Sequence, residues 1–305
     1  MRILVMGTGG VGGYFGARLA KAGNEVGFVA RGAHLEAIRS NGLKVLSPLG
    51  DLVLPSVQVS ADPTDFKEPD LVMLGTKLWD SPGAIEQLRP ALTSHTAVVS
   101  FQNGVGKDEM LAKEVGAERV IGGVSYISAH IQDPGVIRHS VPMQKLVFGE
   151  PDGVESDRVR RFKEACIAAG IDADVSTDIR RTTWEKFVFL VGFSGSTTLS
   201  RSTIGPIREN ERARAFLHDV MDEVVRVGIA EGVPLSTDFA RDRLNFIDSM
   251  PSSASSSMHG DLERGNRLEV DWLSGDVFRR GKTLGVQTPR NRVIAEVLAL
   301  YADGR

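Results

Sequence analysis

The sequence has a single cysteine, Cys166, among 305 residues, which excludes an internal disulfide. Nothing therefore points to an oxidising compartment, and we expect Cys166 to be a small residue of the core. The chain also carries little net charge, with a formal value of −3 at pH 7. It lacks the basic field that binding to nucleic acid or to an anionic membrane requires, so we expect neither partner.

Long hydrophobic runs are missing as well. The apolar run FVFLVGF at 187–193 has seven residues, whereas a helix that crosses a bilayer needs about 20. The six histidines show no HExxH or other paired spacing, so we expect no metal site. The N-terminal MRILVMG runs straight into a strand pattern without a targeting segment, and we expect a cytoplasmic protein.

What remains is the composition of an ordinary globular chain, with 42% apolar and 25% charged residues. A length of 305 residues fits one or two domains. In the first half, strand patterns alternate with helix patterns, which predicts a doubly wound, parallel α/β sheet. The strand patterns are RILVM (2–6), EVGFVAR (25–31), short strands within 43–60, DLVMLGTK (70–77), AVVSF (97–101), VIGGVSYISAH (120–130), VIRHS (136–140), KLVFGE (145–150) and a strand near 171–175.

From about residue 177 the strand signal fades. The stretch RENERARAFLHDVMDEVVRVGIAEG (208–232) has apolar residues at helical spacing. TPRNRVIAEVLALYA opens with a threonine cap and a proline at the first helical position. We therefore predict a Rossmann-type domain over 1–176 and an all-α domain over 177–305.

The hexapeptide GTGGVG (7–12) matches G-x-G-x-x-G, directly after a strand and at the start of a helix. In such a turn Gly7 permits the tight bend, Gly9 lets the backbone approach a pyrophosphate, and Gly12 lets helix and strand pack closely. The N–H groups at the helix N-terminus then face the phosphates. The residues expected to bind a dinucleotide here are Gly7, Thr8, Gly9, Gly10, Val11 and Gly12.

The end of the second strand should carry the residue that reads the adenosine ribose. A site for NAD usually has Asp or Glu there, but this chain has Arg31 in FVARGAH. A planar guanidinium suits a 2′-phosphate, so the sequence favours NADPH. The alternative is that Arg31 is an ordinary solvated arginine.

Lys186 stands just ahead of the apolar run in TTWEKFVFLVGFSG (182–195). A helix that is apolar all round belongs in a core, and burial of an ammonium is costly unless something pairs with it. Either the lysine stem packs while its head reaches water, or the lysine is kept there for chemistry.

Several motifs together resemble the ketopantoate reductase (2-dehydropantoate 2-reductase) family over nearly the whole chain. They occur in the family's order, and the last two are the specific ones: GTGGVGGYFGARLAKAGNEVGFVARG, LGTKLWD, FQNGVG, WEKF and SSMHGDLERGNRLEVDWLSGDVFRRGKTLGVQTPRN. The resemblance implies an N-terminal Rossmann domain, a helical C-terminal domain and a cleft between them. It also implies NADPH-dependent reduction of a 2-keto acid to a 2-hydroxy acid, a step toward pantothenate.

The resemblance further implies roles for individual residues. Lys77 in GTK and Asn103 in FQNG would contact the cofactor, with Asn103 near the nicotinamide and the substrate, and Ala129 would back the ring. Without the resemblance, Lys77 could be a solvated residue at a helix start and Asn103 part of a simple turn. Lys186 would be the general acid, and Glu269 in RLEVD would lie by this lysine and the nicotinamide ribose. The alternative for Glu269 is a surface ion pair with Arg264 or Arg267.

On the substrate side, Ser257 would bind the keto acid carboxylate, and Leu190 and Ser194 stand four and eight residues after the lysine, where the family pattern has asparagines. The family pattern has a further substrate-binding asparagine near the position that Ile204 occupies in this chain. His259 and Gly260 also depart from the usual residues after SSM. The catalytic and cofactor residues are thus intact, while the polar substrate wall is largely missing.

These departures leave alternatives open. The leading prediction is reduction of 2-dehydropantoate to pantoate with NADPH; a close variant is a paralogue that acts on a more apolar keto acid. A non-catalytic NADPH-binding sensor on the same fold would need neither Lys186 nor Glu269. A dehydrogenase that works mainly in the oxidative direction is another possibility. The expected partner is a small-molecule 2-keto acid, and the expected assembly is a homodimer.

Overall fold

The protein divides into two compact units in a computed structural model that describes residues 1–304. The first unit comprises residues 1–102 and 106–179. The second unit comprises residues 103–105 and the chain from residue 180 onward. A three-residue excursion of the N-terminal half therefore belongs to the C-terminal unit.

The first unit contains one ten-stranded sheet with helices packed on it. Its strands are β1 (Arg2–Met6), β2 (Glu25–Val29), β3 (Leu43–Leu46), β4 (Leu52–Leu54), β5 (Gln58–Ser60), β6 (Leu71–Leu74), β7 (Ala97–Ser100), β8 (Val120–Asp133), β9 (Val136–Gly149) and β10 (Asp172–Val175). Its helices are α1 (Gly10–Lys21), α2 (Gly32–Asn41), α3 (Ser81–Leu88), α4 (Lys107–Val115) and α5 (Asp157–Ala168). The strand order is β4-β3-β9-β8-β7-β6-β1-β2-β5, and β10 pairs with β9.

The middle of this sheet is parallel and covered on both faces. Strands β5, β2, β1, β6, β7 and the start of β8 all run in one direction. On β1, Ile3 and Val5 join one hydrophobic cluster, while Leu4 and Met6 join another. Burial on both faces explains why the strand is apolar at every position from Ile3 to Met6 rather than at alternate ones. The predicted Rossmann-type architecture is confirmed.

The far side of the sheet differs from the predicted all-parallel arrangement. β8 and β9 form a long antiparallel pair, and β3 and β4 are antiparallel as well. The segments VIRHS and KLVFGE, predicted as separate strands, belong to the single strand β9. Pairing with β8 is interrupted at the exposed residues 140–143 and resumes on their other side, with a register shift between Ile127 and Ala129.

The second unit is helical, as predicted, and has no strand in its described residues. Its helices are α6 (Ile179–Ser200), α7 (Ile204–Glu209), α8 (Glu211–Ala230), α9 (Phe239–Asp248), α10 (Ser257–Glu263), α11 (Ser274–Leu284) and α12 (Pro289–Leu298). On α8 the apolar residues at helical spacing are buried, including Leu217, Val220 and Val224. Within residues 1–304, no helix combines the length and the apolar character that a membrane crossing needs.

Helices α6 and α8 lie unusually close together. A Cβ atom on Gly192 of α6 would stand 2.2 Å from the side chain of Met221 on α8. At the other end, a Cβ on Gly228 of α8 would stand 2.8 Å from the ring of Trp184 on α6. Because both approaches need a glycine, α6 is held firmly against the core of the second unit, and this helix carries Lys186.

Candidate active site

The glycine turn between β1 and α1 has the backbone that a phosphate-binding turn requires. Gly7 has φ of +102°, a left-handed conformation that strongly favours glycine. A Cβ on Gly12 would lie 2.3 Å from the carbonyl oxygen of Gly7, so helix and turn touch only because that Cβ is missing. The backbone beside Gly9 is more open, since the nearest atom to an added Cβ is 3.8 Å away. The N-terminal N–H groups of α1 thus emerge beside a turn that a phosphate can approach.

Ala129 lies against the same turn. A Cβ on Gly10 would stand 2.2 Å from the carbonyl oxygen of Ala129 on β8. The predicted cofactor residues of the glycine turn and Ala129 are therefore neighbours within the first unit. Their proximity is a contact between backbones, which no side-chain pattern in the sequence records.

His34 on α2 supports the turn and was not singled out from the sequence. Its Nδ1 accepts a hydrogen bond from the Gly135 N–H at 3.0 Å, so Nε2 carries the proton and donates to the Thr8 carbonyl at 2.8 Å. Thr8 itself donates from N and Oγ1 to the Val29 carbonyl, at 3.0 and 2.9 Å. Burial lowers the pKa of His34, although the hydrogen bond to Thr8 acts in the other direction. The imidazole is therefore held neutral.

Two cations flank the turn at the carboxyl ends of neighbouring strands. β1 lies between β6 and β2 in the sheet, so Lys77 after β6 and Arg31 after β2 come on either side of the glycine turn. Arg31 is exposed, and its Nη2 donates to Gln87 Oε1 at 3.2 Å. The Lys77 Nζ lies 5.5 Å from the centre of the Trp79 ring. Ligands of open α/β sheets bind at this edge.

Gln102 fixes the loop that carries Lys77, and sequence reasoning missed it. The side chain is buried, with 8% exposure. Its Nε2 donates to the Thr76 carbonyl at 2.6 Å and to Ser81 Oγ at 2.7 Å, while its Oε1 accepts from Ser100 Oγ at 2.9 Å. All of these bonds lie within the first unit. The place of Gln102 directly before Asn103 in FQNG was the sequence signal that could have identified it.

The second unit brings together Lys186, Asn103 and Glu269. Lys186 Nζ donates to Asn103 Oδ1 at 3.1 Å, and Asn103 Nδ2 donates to Glu269 Oε2 at 3.4 Å. Lys186 is half-buried on α6, and Glu269 is only 6% exposed. The amide of Asn103 thus bridges an ammonium and a carboxylate that come from distant parts of the chain. This arrangement can present a proton donor of fixed orientation.

The two arginines proposed as surface partners of Glu269 lie near other carboxylates. Arg264 pairs with Asp261 at 2.8 Å, and Arg267 lies 3.6 Å from Asp303. Glu269 is buried directly before a short 3₁₀ turn over Val270–Trp272. A buried carboxylate needs polar partners, and the Asn103 amide is one of them.

Two adjacent serines at the start of α10, Ser256 and Ser257, differ in burial. Ser257 is exposed at the first position of α10, whereas Ser256 is buried. Ser256 Oγ accepts from the His259 N–H at 3.1 Å and shares a 2.8 Å hydrogen bond with Thr197 Oγ1 of α6. The buried serine therefore ties α10 to α6 and leaves Ser257 accessible, as a ligand to a carboxylate must be.

The remaining predicted substrate residues follow Lys186 along α6. Leu190 and Ser194 come at intervals of four residues, which places them on the same side of the helix. Leu190 is half-buried; Ser194 is buried, and its hydroxyl has no hydrogen-bond partner among residues 1–304. Ile204 at the start of α7 is fully buried. In the same described range, no group of three His, Cys, Asp or Glu residues is arranged to hold a metal ion.

Two models of one protein family together match both units of the chain. The model of the ketopantoate reductase PanE/ApbA family matches residues 3–153, and the model of its C-terminal part matches residues 178–302. The chain belongs to the ketopantoate reductase family. It is an oxidoreductase of that family, and the resemblance seen in the sequence motifs is confirmed.

Individual relatives of the ketopantoate reductase family span almost the full length. The chain is 34% identical to a 2-dehydropantoate 2-reductase of Mesorhizobium japonicum, covering 98% of this chain and 96% of the relative. It is 30% identical to an uncharacterized oxidoreductase, YkpB, of Bacillus subtilis, covering 99% of each. A crystal structure of a ketopantoate reductase from Ralstonia eutropha superposes with a TM-score of 0.91 at 32% identity, covering 99% of this chain and 98% of that one.

Proposed function

We propose that this protein reduces a 2-keto acid to a 2-hydroxy acid with NADPH. The observation that carries the proposal is the hydrogen-bonded series of Lys186, Asn103 and Glu269 in the second unit. A sensor that only bound a nucleotide would need neither the lysine nor the carboxylate. Relatives of similar length are named 2-dehydropantoate 2-reductases, which supports 2-dehydropantoate as the substrate and pantothenate synthesis as the pathway.

The first unit has residues that fit the cofactor. Gly7 and Gly12 permit a turn that a side chain would block, and the α1 N–H groups suit a pyrophosphate. Arg31 and Lys77 supply positive charge at the adjoining strand ends. Because Arg31 stands where NAD sites usually carry a carboxylate, we infer that NADPH is preferred to NADH. We assign cofactor binding to residues 1–176 and proton donation and substrate binding to residues 177–305.

The chemistry divides between the cofactor and the chain. When bound, NADPH supplies the hydride that the carbonyl carbon of the keto acid accepts. As the carbonyl π electrons move to oxygen, that oxygen takes a proton from Lys186 Nζ and becomes the hydroxyl of the product. Lys186 then regains a proton from solvent. A positioned general acid contributes typically 10²–10⁴-fold to such a reaction.

Asn103 and Glu269 prepare the lysine for this step. The Asn103 carbonyl oxygen accepts from Nζ and so limits the directions in which the ammonium can point. The Asn103 amide in turn donates to Glu269, which fixes the orientation of the amide. Asn103 contacts the proton donor directly, and we infer that it also contacts the substrate carbonyl. Ser257, exposed at the start of α10, is the proposed ligand of the substrate carboxylate.

A second candidate function is reduction of a more apolar keto acid by a paralogue of the same family. Leu190 favours it, because its half-buried side chain cannot bond a substrate hydroxyl. We further propose a homodimer located in the cytoplasm. The test of the proposed reaction is oxidation of NADPH, followed by absorbance, across a panel of 2-keto acids that includes 2-dehydropantoate. Absence of turnover with every member would refute the enzyme assignment.

A further inference from the structure

The half-buried residues that follow Lys186 on its side of α6 are apolar. Phe189 and Leu190 follow the lysine by three and four residues, which places them beside it on the helix surface. Both are half-buried, whereas Phe187, Val188 and Val191 on the other sides are buried. Phe189 and Leu190 thus lie within one helical turn of Lys186, about 5.4 Å along the helix axis.

Phe189 belongs to an aromatic cluster that two helices build. Its ring stacks on Phe193 with centroids 5.3 Å apart and an interplanar angle of 14°. It also meets Phe246 of α9 edge to face at 5.6 Å and 72°. Phe193 is the buried member of the cluster, whereas Phe246 is 47% exposed. The guanidinium of Arg243 lies 5.9 Å from the Phe246 ring centre, which helps to hold that ring.

The two side chains that follow Lys186 on this side of α6 offer no hydrogen bond to a substrate hydroxyl. Neither Phe189 nor Leu190 has a donor or acceptor in its side chain. Ser194, one turn beyond Leu190, is the polar exception, but it is only 1% exposed. A substrate hydroxyl buried here would lose its water without gaining a partner.

We propose that the preferred substrate is a 2-keto acid whose side chain is apolar and large enough to carry an aromatic ring. The inference rests on the proposed reaction, because it places the keto group at Lys186. With the carbonyl at the ammonium, the side chain of the keto acid extends over Phe189 and Leu190 toward the exposed edge of Phe246. A substrate ring that contacts this cluster can adopt the offset or edge-to-face geometry that aromatic pairs prefer.

The test compares kcat/KM with NADPH for phenylpyruvate, 4-methyl-2-oxopentanoate and 2-dehydropantoate. In the wild-type protein, phenylpyruvate is expected to exceed 2-dehydropantoate by at least about tenfold, the lower end of what apolar pocket contacts discriminate. Phe246→Ala should lower kcat/KM for phenylpyruvate by about 3- to 10-fold, as expected for loss of one aromatic contact. The same change should leave 2-dehydropantoate nearly unaffected.

Leu190→Asn is an independent test of the substrate preference, since it adds a hydrogen-bonding amide beside Lys186. It should shift the ratio of kcat/KM toward 2-dehydropantoate by about tenfold or more. Phe278→Ala is the matched control: Phe278 is also half-buried, with the Arg292 guanidinium 5.6 Å from its ring, but it lies on α11. This control should leave the substrate ratio unchanged.

The outcomes separate the inference from the reaction on which it rests. Turnover with 2-dehydropantoate as the best substrate would overturn the inference and leave the proposed reaction intact. A preference for phenylpyruvate that neither Phe246→Ala nor Leu190→Asn alters would overturn the assignment of the aromatic cluster. No turnover with any keto acid would refute the proposed reaction and the inference together.

Discussion

Replacement of Lys186 with alanine removes the amino group that donates to Asn103 Oδ1 at 3.1 Å. If Lys186 protonates the substrate oxygen, kcat should fall by roughly 10²–10⁴, the usual contribution of a general acid. That loss corresponds to about 2.7–5.5 kcal/mol of transition-state stabilisation. The effect should appear in kcat because the proton moves only during the reaction.

Folding should change much less than activity in this variant. Lys186 is half-buried, so water can replace its hydrogen bond to Asn103 more readily than it could replace a fully buried one. Alanine is also the best helix former, which offsets part of the loss within α6. We expect the free energy of unfolding to decrease by no more than about 1–3 kcal/mol, measured by denaturant titration.

Cofactor affinity provides the internal control. The glycine turn, Arg31 and Lys77 all belong to the first unit, whereas Lys186 belongs to the second. The Kd for NADPH, measured by fluorescence titration, should therefore stay within a few-fold of the wild-type value. Lys282→Ala, which removes an exposed lysine of α11, should leave kcat and Kd unchanged.

A second variant distinguishes proton donation from simple positive charge. Lys186→Arg keeps the charge, but a guanidinium has a pKa above about 12 and gives up a proton poorly. We expect its kcat to remain low, close to that of Lys186→Ala. A near-normal kcat in the alanine variant would contradict the catalytic role and leave the interpretation in which the lysine stem merely packs while its head reaches water.

Three further predictions concern the first unit. Arg31→Ala should weaken NADPH binding by about one to two decades, which corresponds to the roughly 1.5–3 kcal/mol of a charge-assisted bond, and should leave NADH binding little changed. Arg39→Ala on α2, the helix that follows Arg31, is the control, and equal losses for both cofactors would contradict a contact between Arg31 and the 2′-phosphate. Because the pKa of His34 is lowered from 6.5 in the folded protein, the unfolded chain binds a proton more readily, so His34 costs stability as the pH falls below about 6.5. The free energies of unfolding of wild type and His34→Gln should therefore converge between pH 7 and pH 5, and a constant difference would show that His34 does not titrate there. Burial raises the pKa of Cys166 to about 12, so Ellman's reagent at pH 8 should label it only after unfolding; rapid labelling of the native protein would contradict its burial.

The features that local sequence patterns predict are those that a few neighbouring residues determine. The glycine spacing in GTGGVG predicts the turn, because the left-handed conformation at Gly7 and the close approach at Gly12 are local demands. The positions of Arg31 and Lys77 follow in the same way, since each comes directly after a recognisable apolar strand. The change from strand patterns to helical spacing near residue 177 likewise predicts the all-α unit.

Contacts between distant segments have no local pattern. Asn103 and Glu269 are 166 positions apart, and only the family resemblance brought them together before the structure did. His34 and Gly135 are 101 positions apart, and nothing near either residue indicates their hydrogen bond. The pairing of β8 with β9 depends on a register that the exposed residues of β9 do not specify. Phe246 meets Phe189 only because α9 packs beside α6.

Membership of residues 103–105 in the second unit has a consequence for recombination between related genes. A single exchange near residue 179 would combine the first segment of one parent with the helical segment of another. Lys186 and Glu269 would then come from one parent, but Asn103, which hydrogen-bonds to both, would come from the other. Such a chimera keeps the two sequence segments intact but joins Lys186 to an amide that evolved beside a different lysine. A functional exchange of the helical unit therefore has to carry residues 103–105 with it.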